Sequence, residues 1–154
     1  MNLLVTGGAG FIGSNLIKYL INKPKITKLI NVDCLTYAGN KESLIDIEKH
    51  NKYVFIKLDI RDKAGIMELV LKHNISHVMN LAAESHVDRS IKGPDNFIST
   101  NIIGTFNLLE ACRVIWGNKL SNKAFLHVST DEVYGSLGKD GFFTENTPYA
   151  PNSP

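Results

Sequence analysis

Cysteine is scarce in this chain: Cys34 and Cys112 are the only two in 154 residues, and no Cys-x-x-Cys pair occurs. A disulfide framework and a redox dithiol motif are thereby excluded, and a reducing compartment is expected, read as the cytoplasm. An excess of either charge is missing as well. Seventeen basic residues face fifteen acidic ones, a formal net charge of +2, and the basic residues are scattered. Nucleic acid and membrane surfaces are therefore not expected partners. The cluster from Lys23 to Lys28 reads as a solvated turn. No uninterrupted apolar run approaches the length of a membrane span. A strand-like run begins at once with Asn2-Leu3-Leu4-Val5, so no targeting leader is expected.

What is present alternates strand and helix. Runs rich in Val, Ile and Leu recur at about 2–6, 28–33, 53–58, 76–81 and 124–129, the pattern of buried parallel strands. Phe11, Ile12, Leu16, Ile17, Leu20 and Ile21 recur at helical spacing, with Pro24 as a stop. A second helix is expected over about 62–73, opened by Asp62, and a third, long one from near Pro94 to Trp116, ended by Gly117. Five units of this kind predict an α/β fold, a doubly wound, Rossmann-like parallel sheet of about five strands.

The first strand leads straight into Thr6-Gly7-Gly8-Ala9-Gly10-Phe11-Ile12-Gly13-Ser14. Glycines 7, 10 and 13 have the spacing of a dinucleotide-binding turn. Gly7 permits the turn, Gly10 lets the backbone approach a pyrophosphate, and Gly13 lets helix and strand pack closely. Asp33 ends the second strand, twenty residues past Gly13. A carboxylate there accepts from ribose hydroxyls and repels a 2′-phosphate, so NAD is expected rather than NADP. Asp59 and Ile60 close the third strand, placed to meet an adenine, although Asp59 also suits a helix cap. Leu81-Ala82-Ala83-Glu84-Ser85 ends the fourth strand with small residues that would let a nicotinamide ribose lie against the backbone.

Beyond the fifth strand stands Ser129-Thr130-Asp131-Glu132-Val133-Tyr134-Gly135. It places a hydroxyl beside two adjacent carboxylates where open α/β sheets bind ligands. Two such groups can divide acid and base work if their surroundings separate their pKa values. A dehydration needs that chemistry: one proton delivered to a leaving hydroxyl, one removed from the neighbouring carbon. A hydrogen-bonded turn is the plainer alternative. His73 and His77 imitate a His-x-x-x-His metal pair, but they straddle a helix-to-strand change, so no metal is expected.

Thr6–Ser14, Asp33–Asn40, Leu81–Ser90 and Ser129–Gly135 together resemble the dTDP-glucose 4,6-dehydratases of the extended short-chain dehydrogenase/reductase family. The resemblance implies that Thr130 orients the sugar O4, Asp131 protonates the departing C6 hydroxyl and Glu132 takes the C5 proton. It implies NAD contacts at Phe11, Ile12, Asp33, Cys34, Leu35, Thr36, Asp59, Ile60, Leu81 to Ser85 and Thr100, with Ser85 also near the substrate. His86 reads as a substrate-side residue, or as one that orders the loop with Asp88 and Arg89. Cys34 departs from the pattern, where lysine is expected. The implied mechanism passes hydride from C4 to NAD, loses water across C5–C6, and returns the hydride to C6, giving a 4-keto-6-deoxy sugar. UDP- or GDP-linked sugars would suit the same triad, whereas a 4-epimerase would lack the Asp-Glu pair. A non-catalytic NAD-binding module is a further alternative.

The resemblance also calls for a Tyr-x-x-x-Lys pair on the helix after strand five. Tyr19…Lys23, Tyr37…Lys41 and Tyr53…Lys57 match the spacing but fall at a helix end, in a loop and in a strand. Residues 1–154 are thus expected to form a truncated cofactor domain, inactive alone, with the Tyr and Lys and the sugar-nucleotide domain beyond it. A homodimer is expected for the longer protein. Its helical bundle would use the long helix, whose apolar face would here be exposed.

Overall fold

The computed structural model describes residues 1–152. Five strands, β1 (Asn2–Thr6), β2 (Lys28–Asp33), β3 (Tyr53–Lys57), β4 (His77–Asn80) and β5 (Ala124–His127), form one sheet in the order β3-β2-β1-β4-β5. Every pairing is parallel. The strand order reverses between β1 and β4, which opens a crevice at the carboxyl ends there.

Both faces of the sheet are covered, as unbroken apolar strands require. Alternation along β1 sends Leu3 and Val5 one way and Leu4 the other. Leu3, Val5 and Leu29 pack with Ile17 of α1 (Phe11–Leu20) and with Ile21, its C-cap residue. On the opposite face Leu4, Ile30 and Val78 meet Ile66 and Val70 of α2 (Lys63–Lys72) and Leu108 of α5 (Thr105–Trp116). Each such fully buried aliphatic side chain stabilises by about 1.5–3 kcal/mol relative to exposure. Trp116 ends α5 with its indole N–H donating to the Ile75 carbonyl at 2.8 Å, so its one polar group is satisfied. Among the described residues no helix is long and apolar enough to cross a membrane.

The strand positions agree with the sequence to within two residues at each end. The long helix differs. Its span is divided into a short α turn, α4 (Asp95–Phe97), a π-helical stretch (Ile98–Gly104) and then α5. Ile98, Thr100, Ile102 and Ile103 are β-branched and weak helix formers, and the Ser99 hydroxyl donates to the Asn96 carbonyl at 3.1 Å. A further helix, α3 (Val87–Lys92), and two 3₁₀ turns (Lys41–Ile47 and Asp131–Tyr134) carry no strong periodicity. β5 is the least covered strand, with Ala124, Leu126 and His127 exposed.

Candidate functional site

The crevice has a volume of about 520 Å³. Its floor is the glycine loop between β1 and α1. Gly7 has φ +68°, and a Cβ there would press on the Leu81 and Ala82 backbone at 2.7 Å. At Gly13 a Cβ would collide with the Gly7 carbonyl, so loop and helix lie as close as two backbones can. No side chain caps the first turn of α1, and no acidic residue lies in it. Its amide donors and the positive end of its dipole suit an anionic group in the crevice.

Asp33 fastens this floor to β2. Its Oδ2 accepts from the Ala9 N–H at 2.9 Å and its Oδ1 from the Leu35 N–H at 2.8 Å. Each oxygen keeps a lone pair for a ligand hydroxyl. Leu35 itself serves the turn, at φ +59°, and does not line the crevice. Asp59 lines the wall formed after β3. Arg61 donates to it through Nε at 2.9 Å, Nη2 at 2.6 Å and its own backbone N–H at 2.8 Å. The guanidinium holds the Asp59 carboxyl below its ordinary range. The cap of α2 falls to Asp62, whose Oδ1 accepts from the Gly65 N–H at 3.0 Å.

The other wall is the segment after β4. Asn101, on the π-helical stretch, accepts from the Glu84 N–H at 2.8 Å and donates to the Glu84 carbonyl at 2.9 Å. Below it, Thr6 donates to Asn80 Oδ1 at 2.5 Å, and Asn80 Nδ2 donates to Thr105 Oγ1 at 3.2 Å. Asn107 donates to the Ile60 and Arg61 carbonyls at 3.1 and 3.0 Å. Five polar side chains on and under one helix thus fix three crevice segments. Sequence reasoning missed Asn80, Asn101, Asn107 and Arg61. For Asn80 and Asn107 the available signal was a buried polar residue interrupting an apolar run, since such a group must find partners.

The crevice gathers Gly7, Gly10, Phe11, Ile12, Gly13, Asp33, Cys34, Thr36, Asp59, Ile60, Leu81, Ala82, Ala83, Glu84, Ser85 and Thr100. Leu35, His86 and Thr130-Asp131-Glu132 are not in its lining. Residues 4–154 match the family model described as GDP-mannose 4,6 dehydratase. The chain belongs to that family. The dTDP-glucose 4,6-dehydratase of Xanthomonas campestris is 52% identical over 98% of this chain, which covers 44% of that relative. The dTDP-glucose 4,6-dehydratase DesIV of Streptomyces venezuelae, solved with NAD bound, superposes with a TM-score of 0.89 at 40% identity, over 99% of this chain and 46% of its own. The UDP-glucose 4-epimerase of Thermus thermophilus, solved with NAD, gives a TM-score of 0.82 at 30% identity, over 99% of this chain and 45% of its own. The chain therefore spans under half the length of these relatives.

In this member of the 4,6-dehydratase family the acid pair stands on a short 3₁₀ turn past the carboxyl end of β5. Thr130 caps the turn, its Oγ1 accepting from the Glu132 N–H at 3.2 Å. The same hydroxyl reaches Asp131 Oδ1 at 3.4 Å, so the expected turn and the expected catalytic group coincide in one motif. Thr130, Asp131 and Glu132 are exposed. Val128, two residues before Thr130, lines the crevice. Tyr134 stacks on Phe143 at 5.2 Å between centroids and meets Tyr149 at 5.6 Å.

The Tyr-x-x-x-Lys look-alikes sit elsewhere. Lys23 lies over the Tyr19 ring at 3.9 Å on the surface, and Tyr53 is buried in β3. Tyr37 carries Arg89 on its face at 3.9 Å. His73 contacts Lys28 Nζ at 3.1 Å and His77 contacts Ser76 Oγ at 2.9 Å, so the two rings serve different partners. His86 is the N-cap residue of α3 and makes no side-chain cap bond.

Proposed function

We propose that this chain is the NAD-binding part of a 4,6-dehydratase acting on dTDP-glucose. Residues 1–154 are read as one cofactor domain, with the Tyr-x-x-x-Lys helix and the sugar-nucleotide domain supplied by a further segment. The observation that carries the reading is a crevice built for a diphosphate, with the Thr130-Asp131-Glu132 turn beginning two residues past Val128 of its lining. The glycine loop leaves no room for Cβ atoms at Gly7 and Gly13, and the first turn of α1 offers uncapped amides. These features fit a dinucleotide. Gly10, Phe11 and Ile12 would hold the pyrophosphate, Asp33 the adenosine ribose, Asp59 and Ile60 the adenine, and Leu81 to Ser85 with Thr100 the nicotinamide side. When bound, NAD supplies reversible hydride acceptance.

The remaining chemistry belongs to side chains of this chain. Thr130 donates toward the sugar O4 while its lone pair stays on the Glu132 amide. Glu132 removes the C5 proton, and Asp131 delivers a proton to the departing C6 hydroxyl. Ser85 and His86 border the hexose. The acid pair separates this reading from a 4-epimerase, whose fold is shared but whose chemistry expels no water. The longer protein is read as a cytoplasmic homodimer.

The test has two arms. Titration of NAD into the 154-residue chain is expected to show binding, while dTDP-glucose yields no 4-keto-6-deoxy product by mass spectrometry. Joining the chain to the carboxyl-terminal half of a related dehydratase is expected to create turnover, which Glu132→Gln abolishes. Turnover by the chain alone would refute the proposed division of labour. Binding that never becomes turnover in any fusion would favour a non-catalytic NAD module. Parallel assays with UDP- and GDP-glucose decide the nucleotide.

A further inference from the structure

Among the described residues, one buried side-chain polar atom has no hydrogen-bond partner: Oδ1 of Asn31. Asn31 lies in the middle of β2, fully buried, on the sheet face that carries α1. Its Nδ2 donates to the Tyr53 hydroxyl at 2.9 Å, across to β3. Its Oδ1 stands against Gly8, where any Cβ would collide with it, and with Ile17 Cδ1 at 2.5 Å. Gly8 is the one loop glycine outside the 7, 10, 13 spacing, and no ligand contact demands it.

A buried amide oxygen without a partner is destabilising, and an apolar residue of similar shape would avoid that cost. Two residues on, Asp33 points from the same face of β2 to the Ala9 amide at 2.9 Å. Two polar side chains of one strand therefore stand under consecutive residues of the loop. We propose that Asn31, braced by Tyr53, is a positioning residue that sets the height of the glycine loop beneath the cofactor diphosphate. Asp33 holds the loop by a hydrogen bond, and Asn31 supports it by contact at Gly8. Burial pushes the Tyr53 phenol upward, so it stays a neutral brace near neutral pH.

The inference rests on the NAD reading above, and the experiment separates the two. The 154-residue chain is compared with the double variant Asn31→Leu, Tyr53→Phe, which removes both polar partners together. NAD affinity is read by calorimetric titration and stability by urea unfolding. The expected result is a dissociation constant raised about tenfold with stability equal or greater, because the unsatisfied amide is gone. Stability and affinity falling together would make Asn31 an ordinary core residue and overturn the inference. Unchanged affinity would overturn it as well. If the double variant does not fold, Tyr53→Phe alone unhooks the amide, and a loss of NAD affinity of about threefold is expected; no loss sinks the idea. Failure of the unaltered chain to bind NAD refutes the cofactor reading instead.

Discussion

Cys112 is buried among Val70, Val78 and Leu108, and burial pushes its thiol up to about 12 from an ordinary 9.0. The folded chain therefore holds this proton more tightly than the unfolded chain. Its contribution is fully present below pH 9 and is lost as pH rises toward 12. Tyr53, also pushed up by burial, acts with the same sign above its ordinary value of 10.0. Stability measured by urea unfolding is thus expected to fall between pH 9 and 12. Cys112→Val should flatten that fall while costing less than about 1.5 kcal/mol at neutral pH. An equally steep slope in the variant would show that other groups govern it. Cys34 is a different case. Burial first, then the Asp59 and Asp33 carboxylates, push its thiol up, so the local field is negative at the crevice wall. Cys34→Lys, restoring the residue that the dehydratase resemblance calls for, is expected to tighten NAD binding up to about fivefold, on the order of 1 kcal/mol. Calorimetric titration giving equal or weaker binding would contradict it. These residue-level features divide by legibility. Asp33 and the glycines follow from spacing, because backbone approach admits few residue types. Asn31 and Asn101 do not, because their partners lie 22 and 17 residues away in sequence and only the fold brings them together.

At the scale of elements, strands were plain because unbroken Val, Ile and Leu runs have few alternatives in a covered sheet. The π-helical stretch was hidden. Periodicity sees apolar recurrence, and Ile98, Ile102 and Phe106 recur at a spacing compatible with an ordinary α-helix. What marks the stretch is tertiary: Gly104 packs so closely on Ile60 that a Cβ would stand 2.5 Å from its side chain, and Asn101 grips Glu84. A π turn at such a position commonly accompanies a functional site. Asn101→Ala removes two hydrogen bonds and leaves both Glu84 backbone groups without that partner. The expected cost is about 1–2 kcal/mol in urea unfolding, with faster hydrogen exchange at the Glu84 amide. Asn101→Asp keeps an acceptor for the Glu84 N–H but loses the donor to its carbonyl, so an intermediate loss is expected. Equal effects from both variants would mean that only the acceptor half of the clamp is irrelevant to order.

At the scale of the whole molecule, two apolar surfaces stand open. Ile98, Ile102, Phe106 and Leu109 are exposed at spacings of four, four and three, a stripe along one side of the helix that ends in α5. Leu126 and Val128 are exposed at β5, whose outer edge has no neighbouring strand among the described residues. Patches of this kind promote association, and an unpaired edge templates further strands. The chain is therefore expected to self-associate with rising concentration in sedimentation velocity. Because the contacts are apolar, sulfate should strengthen the association and moderate sodium chloride should barely weaken it. Two variants tell the surfaces apart. Phe106→Glu with Leu109→Glu charges the helix stripe and is expected to shift the chain toward monomer if pairing uses helices. Leu126→Lys blunts the edge and should act alone if strands pair instead. Neither substitution touches the glycine loop, so NAD affinity serves as the control for folding. A monomer at every concentration tested would mean that these side chains are covered by the chain itself in solution. In that event the open stripe would lose its standing as a pairing face.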